Sequence, residues 1–168
     1  MKSTKNQKGF SLLETLVAVS AFVIVFSVVI NIFLSGVSSQ RKVIAQQNVH
    51  ENAMFLLGFI AKELRMGTIT CCNSYSSYLN VTRSDDQTVV YQFSGNNLIR
   101  TAGGGENGPL NSNDVLVTGS FYTQGIGLTD NQQPRVTIRI KVETGNGKAS
   151  QRAVAELQTT LSQHNLEL

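Results

Sequence analysis

From Phe10 to Leu34 the chain runs FSLLETLVAVSAFVIVFSVVINIFL, 25 residues with one ionisable side chain, Glu14. As a helix rising about 1.5 Å per residue, this run is about 37 Å long, enough to cross a hydrocarbon core of about 30 Å with some tilt. Its length argues against a buried core helix, and it exceeds the roughly 7–15 apolar residues of a removable secretory signal. A small-residue cleavage site at Gly36–Ser38 is the residual alternative. Lys2, Lys5 and Lys8 precede the run while Arg41 and Lys42 come after it. The bias of positive charge therefore favours a cytoplasmic N-terminus modestly and places the residues beyond the span outside.

The 168 residues allow one globular domain in addition to such a span. A formal net charge of +3 owes everything to the three leading lysines, because the remainder carries equal numbers of basic and acidic side chains. Phosphate binding needs Lys and Arg clustered on the folded part, so nucleic acid is not expected as a partner. The apolar fraction of 41% is an average over a strongly apolar start and a polar, Gly- and Asn-rich remainder.

Glu14 is the informative residue of the span. A carboxylate costs about 3 kcal/mol at the centre of a membrane helix, and persists mainly where it is paired or working. A snorkelling headgroup-level carboxylate is the plain alternative, but its neighbours point elsewhere. The segment Lys8-Gly9-Phe10-Ser11-Leu12-Leu13-Glu14 is a basic leader ending in Gly, then Phe, with Glu five positions into the segment. It resembles the class III signal of the type IV pilin superfamily. That resemblance implies that a prepilin peptidase cuts between Gly9 and Phe10, on the cytoplasmic side, and methylates the new Phe10 amine. Cutting there leaves the apolar run in place. The positive amine it creates is one that the Glu14 carboxylate of a neighbouring subunit can neutralise in lipid. Ala18 and Ala21, small enough for close helix approach, join Glu14 as candidate assembly residues. Thr15, Ser20, Ser27 and Asn31 read as ordinary polar punctuation.

Beyond Leu34 the helical period continues. Val49, Ala53, Leu56, Ile60 and Leu64 recur every three or four residues as one apolar stripe, with Glu51, Lys62 and Glu63 expected on a solvated face. Ser35 to Gln47, poorer in apolar residues and containing Gly36, suggests a neck. Gly58 costs about 1 kcal/mol relative to Ala inside a helix. Gly67 suits a left-handed C-terminal cap. One helix from about Phe10 to Met66 is expected.

After Cys71-Cys72 the pattern becomes strand-like. Strands are expected at Tyr78–Arg83, Thr88–Phe93, Asn97–Thr101, Val115–Tyr122, Arg135–Glu143 and Ala153–Leu161. Turns are expected at Asp85-Asp86-Gln87, Gly95-Asn96-Asn97 and Gly145-Asn146-Gly147-Lys148, and a flexible loop over Gly103–Pro109. Val136, Ile138, Ile140 and Val142 alternate with Arg135, Thr137, Arg139 and Lys141, one buried face against one wet, basic face. The fold class is therefore α+β and pilin-like: a long N-terminal helix packed on an antiparallel β-sheet. The divisions expected are a leader at 1–9, a membrane and assembly helix at 10–34, its continuation on the domain at 35–67, and a periplasmic or extracellular β-rich part at 68–168.

Phe59–Gly67, Val90–Phe93 with Leu98-Ile99-Arg100, Pro134–Ile138 and Leu157–Leu161 resemble the larger minor members, the J-type pseudopilins of type II secretion and the W-type minor pilins. A C-terminal disulfide loop is not available here, because the only cysteines, Cys71 and Cys72, are adjacent. Two thiols, or one intermolecular bridge, are the readings for that pair. No catalytic set, cofactor or metal site emerges. His50 and His164 sit in no nucleophile or ligand motif, and Asp85, Asp86, Asp114 and Asp130 have turn positions without EF-hand spacing. Gly103–Gly105 lacks the Lys-Ser or Lys-Thr of a phosphate loop.

The expectation is a non-enzymatic structural subunit of a type IV pilus or a type II secretion pseudopilus, a minor one at the tip in an initiation complex. The resemblance implies as partners other pilin or pseudopilin subunits, the prepilin peptidase, an assembly ATPase and an inner-membrane platform protein. The location expected is the bacterial inner membrane, single-pass, and then the fibre. A membrane-tethered extracellular binding protein and a minor pilin of a DNA-uptake system are the rival readings.

Overall fold

The computed structural model describes residues 9–71, 74–103, 107–127, 133–145 and 152–163. The leader lysines, Cys72, the loop positions 104–106, Asp130, the turn positions 146–148 and His164 lie outside them. One α-helix, α1, covers Leu12–Met66. The expected neck at 35–47 is thus helical. By internal contact the chain divides into residues 1–41 and 42–168.

In residues 1–41 no described side chain is buried. The polar groups of the apolar run are satisfied by the helix itself. Thr15 Oγ1 donates to Leu12 O at 2.9 Å, Ser20 Oγ to Val17 O at 2.9 Å, Ser27 Oγ to Val23 O at 2.8 Å, and the Asn31 amide to Ser27 O at 2.8 Å. Bonding back to the preceding turn removes the cost of these groups in a medium without water. The helix is long and apolar enough to cross a membrane.

In residues 42–168 the helix buries the stripe Val49, Ala53, Leu56, Ile60 and Leu64, each at 1% exposure or less. Each fully buried Leu or Ile contributes about 1.5–3 kcal/mol. Among the described residues, nine strands form not one but two antiparallel sheets that share this core. The strands are β1 (Thr68–Ile69), β2 (Tyr75–Ser76), β3 (Tyr78–Thr82), β4 (Thr88–Ser94), β5 (Asn97–Ala102), β6 (Gly108–Pro109), β7 (Val115–Gln124), β8 (Arg135–Thr144) and β9 (Val154–Ser162). The first sheet has the order β1-β3-β4-β5-β6 and the second β2-β7-β8-β9. The six expected strands are β3, β4, β5, β7, β8 and β9; the three two-residue strands carry no period and escaped the sequence.

Val136, Ile138, Ile140 and Val142 are fully buried, as the alternation requires. The β4–β5 hairpin turns through Gly95 and Asn96, both at positive φ (57° and 62°), with Ser94 opposite Asn97. This is the two-residue mirror-image turn that matches strand twist. At the other expected turn Asp86 has φ 59°, and Asp85 Oδ1 accepts from Gln87 N at 3.2 Å.

Gly67 is not the left-handed cap expected, since its φ is not positive. It is buried, and a Cβ there would lie 2.6 Å from Val81 Cγ1 and 2.9 Å from Thr82 O. The glycine lets β3 pass close to the helix end. The described part of the expected flexible loop is fastened: Ala102 N donates to Asn107 Oδ1 at 2.7 Å, and Leu110 N to Leu98 O at 2.8 Å. Asn111 is the anchor, 6% exposed, accepting from Leu98 N at 3.0 Å and donating to Asn97 Oδ1 at 2.9 Å and Val115 O at 3.1 Å.

Candidate functional site

Gly9 and Phe10 precede α1, and the helix opens at Leu12 with Thr15 N donating to Ser11 O at 3.2 Å. A Cβ placed on Gly9 would meet nothing within 4 Å, and its φ is not one that side chains avoid. Nothing in the fold therefore requires glycine at position 9. Phe10 is 81% exposed, so the bond between them is open to an enzyme.

Glu14 lies in the first turn of α1. The unsatisfied N–H groups there give the helix start a partial positive charge, which stabilises a carboxylate by about 0.3–1 kcal/mol. Ser11 and Glu14 also have the Ser-x-x-Glu spacing of a helix start, a signal the motif reading passed over. Glu14, Ala18 and Ala21 are separated by four and three residues and fall on one stripe of the helix, all exposed. These are the three candidate assembly residues of the sequence, and the helix sets them along one line. Two of the three are small enough for another helix to approach closely.

A second polar constellation lies within residues 42–168, and the sequence missed it. Glu63, expected in solvent, has a side chain only 15% exposed. Its Oε1 accepts from Arg100 Nη2 at 2.8 Å, and its Oε2 accepts from the Tyr91 hydroxyl. Tyr91 and Arg100 are paired across β4 and β5, and both face the helix. The Arg100 guanidinium also sits over the Phe59 ring, 5.8 Å from its centroid. Burial, and then the hydrogen bond to Glu63, hold the Tyr91 phenol well above its usual pKa, while the hydrogen bond to Glu63 raises that of Arg100. Arg100 within a strand of otherwise uncharged residues was the one available signal. The arrangement has no nucleophile or metal-binding set and fastens the helix to the first sheet.

The remaining candidates stay apart. His50 is exposed on the helix, and Cys71 O accepts from Thr123 Oγ1 at 3.4 Å. Among the described residues no three of His, Cys, Asp and Glu converge on a metal-sized space.

Compared with known protein families, residues 4–30 match the family described as the prokaryotic N-terminal methylation motif. The chain thus carries a type IV pilin-like class III signal, and the match spans the Gly9–Phe10 bond, Glu14, Ala18 and Ala21. No curated protein and no solved structure gives a match.

Proposed function

We propose that this chain is a prepilin, a structural and non-enzymatic subunit cut between Gly9 and Phe10, N-methylated on Phe10, and assembled through α1 into a type IV pilus or a type II secretion pseudopilus. The observation that carries the reading is Gly9: a glycine with open space around it and an ordinary backbone, inside a matched processing motif, answers to an enzyme rather than to the fold. Before assembly the chain is held once in the inner membrane by residues 10–34, N-terminus inside and residues 42–168 outside. This orientation is supported by Lys2, Lys5 and Lys8. In the fibre, Glu14 receives the Phe10 amine of a neighbouring subunit while Ala18 and Ala21 admit its helix. The prepilin peptidase, an assembly ATPase and a platform protein are the partners such a life cycle needs.

The subunit is a minor one at the tip, of the J-type or W-type branch. Support comes from the adjacent cysteines, which cannot close a C-terminal disulfide loop. The test is intact-mass analysis of the chain from its own host. Loss of Met1–Gly9 and gain of one methyl group are expected, with the leader retained in Gly9→Leu. A native chain that keeps its leader and an unmodified Phe10 would end the prepilin reading.

A further inference from the structure

The outer face of the second sheet carries an exposed aromatic pair at one end. Tyr75 of β2 lies opposite Tyr122 of β7, and the register continues that row through Thr137 and Thr160. The two rings pack with centroids 4.5 Å apart and planes tilted by 33°, yet Tyr75 stays 76% exposed. Contact with Tyr122 therefore leaves most of the Tyr75 ring in solvent. A tyrosine joins an apolar ring to a polar tip, which suits a ligand that has both kinds of surface.

The polar groups beside the rings are held in place. Gln124 Nε2 donates to the Tyr122 hydroxyl at 2.7 Å, and Gln124 Oε1 accepts from Arg135 Nε at 2.9 Å. The Thr137 and Thr160 hydroxyls bond to each other at 2.8 Å. The amide thus fixes the exposed Arg135 guanidinium by its inner nitrogen. Among the described residues nothing accepts from its terminal nitrogens, and no carboxylate lies within ion-pairing distance of it. The neighbouring cations differ: Arg139 is 3.9 Å from Glu156, and Lys141 is paired with Glu143. Further along the same face a shallow cleft of about 290 Å³ opens between Thr118, Ser120, Arg139, Lys141 and Glu156. That is close to the lower end of the range of about 300–1,000 Å³ found for ligand pockets.

We infer that this face binds an acidic oligosaccharide, which runs from Tyr75 across Tyr122 to Arg135. A pyranose has an apolar C–H face and a rim of hydroxyls. The Tyr75 ring takes the first, and the Thr137, Thr160 and Gln124 side chains take the second. The terminal nitrogens of Arg135, already oriented by Gln124, take the carboxylate of a sugar acid as a fork. Fixing the fork before binding removes part of the ordering cost. A protein partner calls for an apolar centre within a polar rim. Here the centre of the face is polar, and its exposed large aliphatic residues, Leu116 and Val154, lie in the row at the far end from Tyr75. Nucleic acid calls for several uncompensated cations, whereas Arg139 and Lys141 have carboxylate partners. The site lies wholly on the second sheet and does not depend on the processing signal.

The experiment is calorimetric titration of the full chain, in a polyoxyethylene detergent that itself carries no sugar, so its outcome is separate from that of the prepilin reading. The probes are tetramers of mannuronate, glucuronate and galacturonate, each beside the neutral hexose tetramer of the same series. At least one uronate tetramer should bind saturably, about tenfold more tightly than its neutral counterpart, as one charge-assisted contact provides. Arg135→Gln should bring that uronate down to the neutral level and leave the neutral tetramer unchanged. Tyr75→Ala should weaken both by about three- to tenfold, and Tyr75→Phe should restore them. Both side chains are exposed, so these variants should melt with the unsubstituted chain. No saturable binding of any uronate tetramer would overturn the inference. So would an Arg135→Gln effect equal on acidic and neutral tetramers, a Tyr75→Ala variant that binds unchanged, or polyglutamate that binds as tightly as the uronate, which would make the face a site for acidic peptides.

Discussion

The fastening of the helix to the first sheet should depend on Glu63 and Arg100 acting as a pair. Replacing Arg100 by Met keeps the apolar length of the side chain and leaves the Glu63 carboxylate with the Tyr91 hydroxyl as its remaining side-chain partner. Breaking a fully buried ion pair costs about 3–5 kcal/mol. The two side chains here keep 11% and 15% exposure, which lets some water in, so the expected loss is about 2–3 kcal/mol. Glu63→Gln should cost less, about 1–2 kcal/mol, because the amide oxygen still accepts from Tyr91 and the guanidinium keeps the Phe59 ring. The double variant should cost less than the sum of the two by about 1–2 kcal/mol, the mark of coupled residues. Urea unfolding of the full chain in a mild non-ionic detergent, monitored by circular dichroism, reads these differences as midpoint shifts. If each single change costs under about 0.5 kcal/mol and the two add, the pair is a solvated surface contact, and the argument from burial is wrong.

The same structure leads to three further expected outcomes. Tyr91, held above the ordinary phenol pKa of 10.0, binds its proton more tightly folded than unfolded, so stability should fall as pH rises past 10, by about 1.4 kcal/mol per pH unit; unfolding measured from pH 9 upward should show this slope lost in Tyr91→Phe. Gly58→Ala meets open space on the exposed helix and should stabilise the chain by about 1 kcal/mol, whereas Gly119→Ala sets a Cβ 2.4 Å from Arg139 O and 2.7 Å from the Phe93 ring and should destabilise by about 2 kcal/mol or more; equal melting temperatures for the two would contradict both assignments. Glu14→Ala should still insert and be cut, since the span becomes more apolar, but should lose incorporation into fibres; normal incorporation, measured in sheared fibres from the native host, would show that Glu14 is not the docking carboxylate.

Much of the fold was legible because the core is built on regular periods. The five stripe residues of α1 and the four apolar residues of β8 are all buried where the spacing put them. The Asp85–Gln87 and Gly95–Asn97 turns were legible because positive-φ positions select Gly, Asn and Asp. The division into two sheets was not legible, since it depends on short pairings such as Tyr75 opposite Tyr122, in which two residues have no period to show. Gly67 was recognised as special for the wrong reason: both a left-handed cap and a close strand crossing demand glycine, and the sequence records only the demand. Gly58 and Gly119 look alike in sequence and differ wholly in surroundings, open solvent in one case and a strand carbonyl in the other.

Glu14 and Glu63 show where the limit lies for the site itself. They belong to the same helix, and each is a carboxylate near apolar residues. The partners of Glu63 lie 28 and 37 positions further along, on strands whose pairing no local pattern encodes, so its burial emerges only from the tertiary structure. Glu14 is the reverse case. Among the described residues no cation lies within ion-pairing distance of it, and its setting is legible in sequence because a processing signal is read locally, by an enzyme, as a string of neighbouring residues. The helix thus carries one acid whose partner is folded into the chain and one with no ion-pair partner among the described residues. The second kind is what a subunit needs if it is to exchange the membrane for an assembly: a charge left uncompensated in a solitary helix stays costly until another chain arrives to neutralise it.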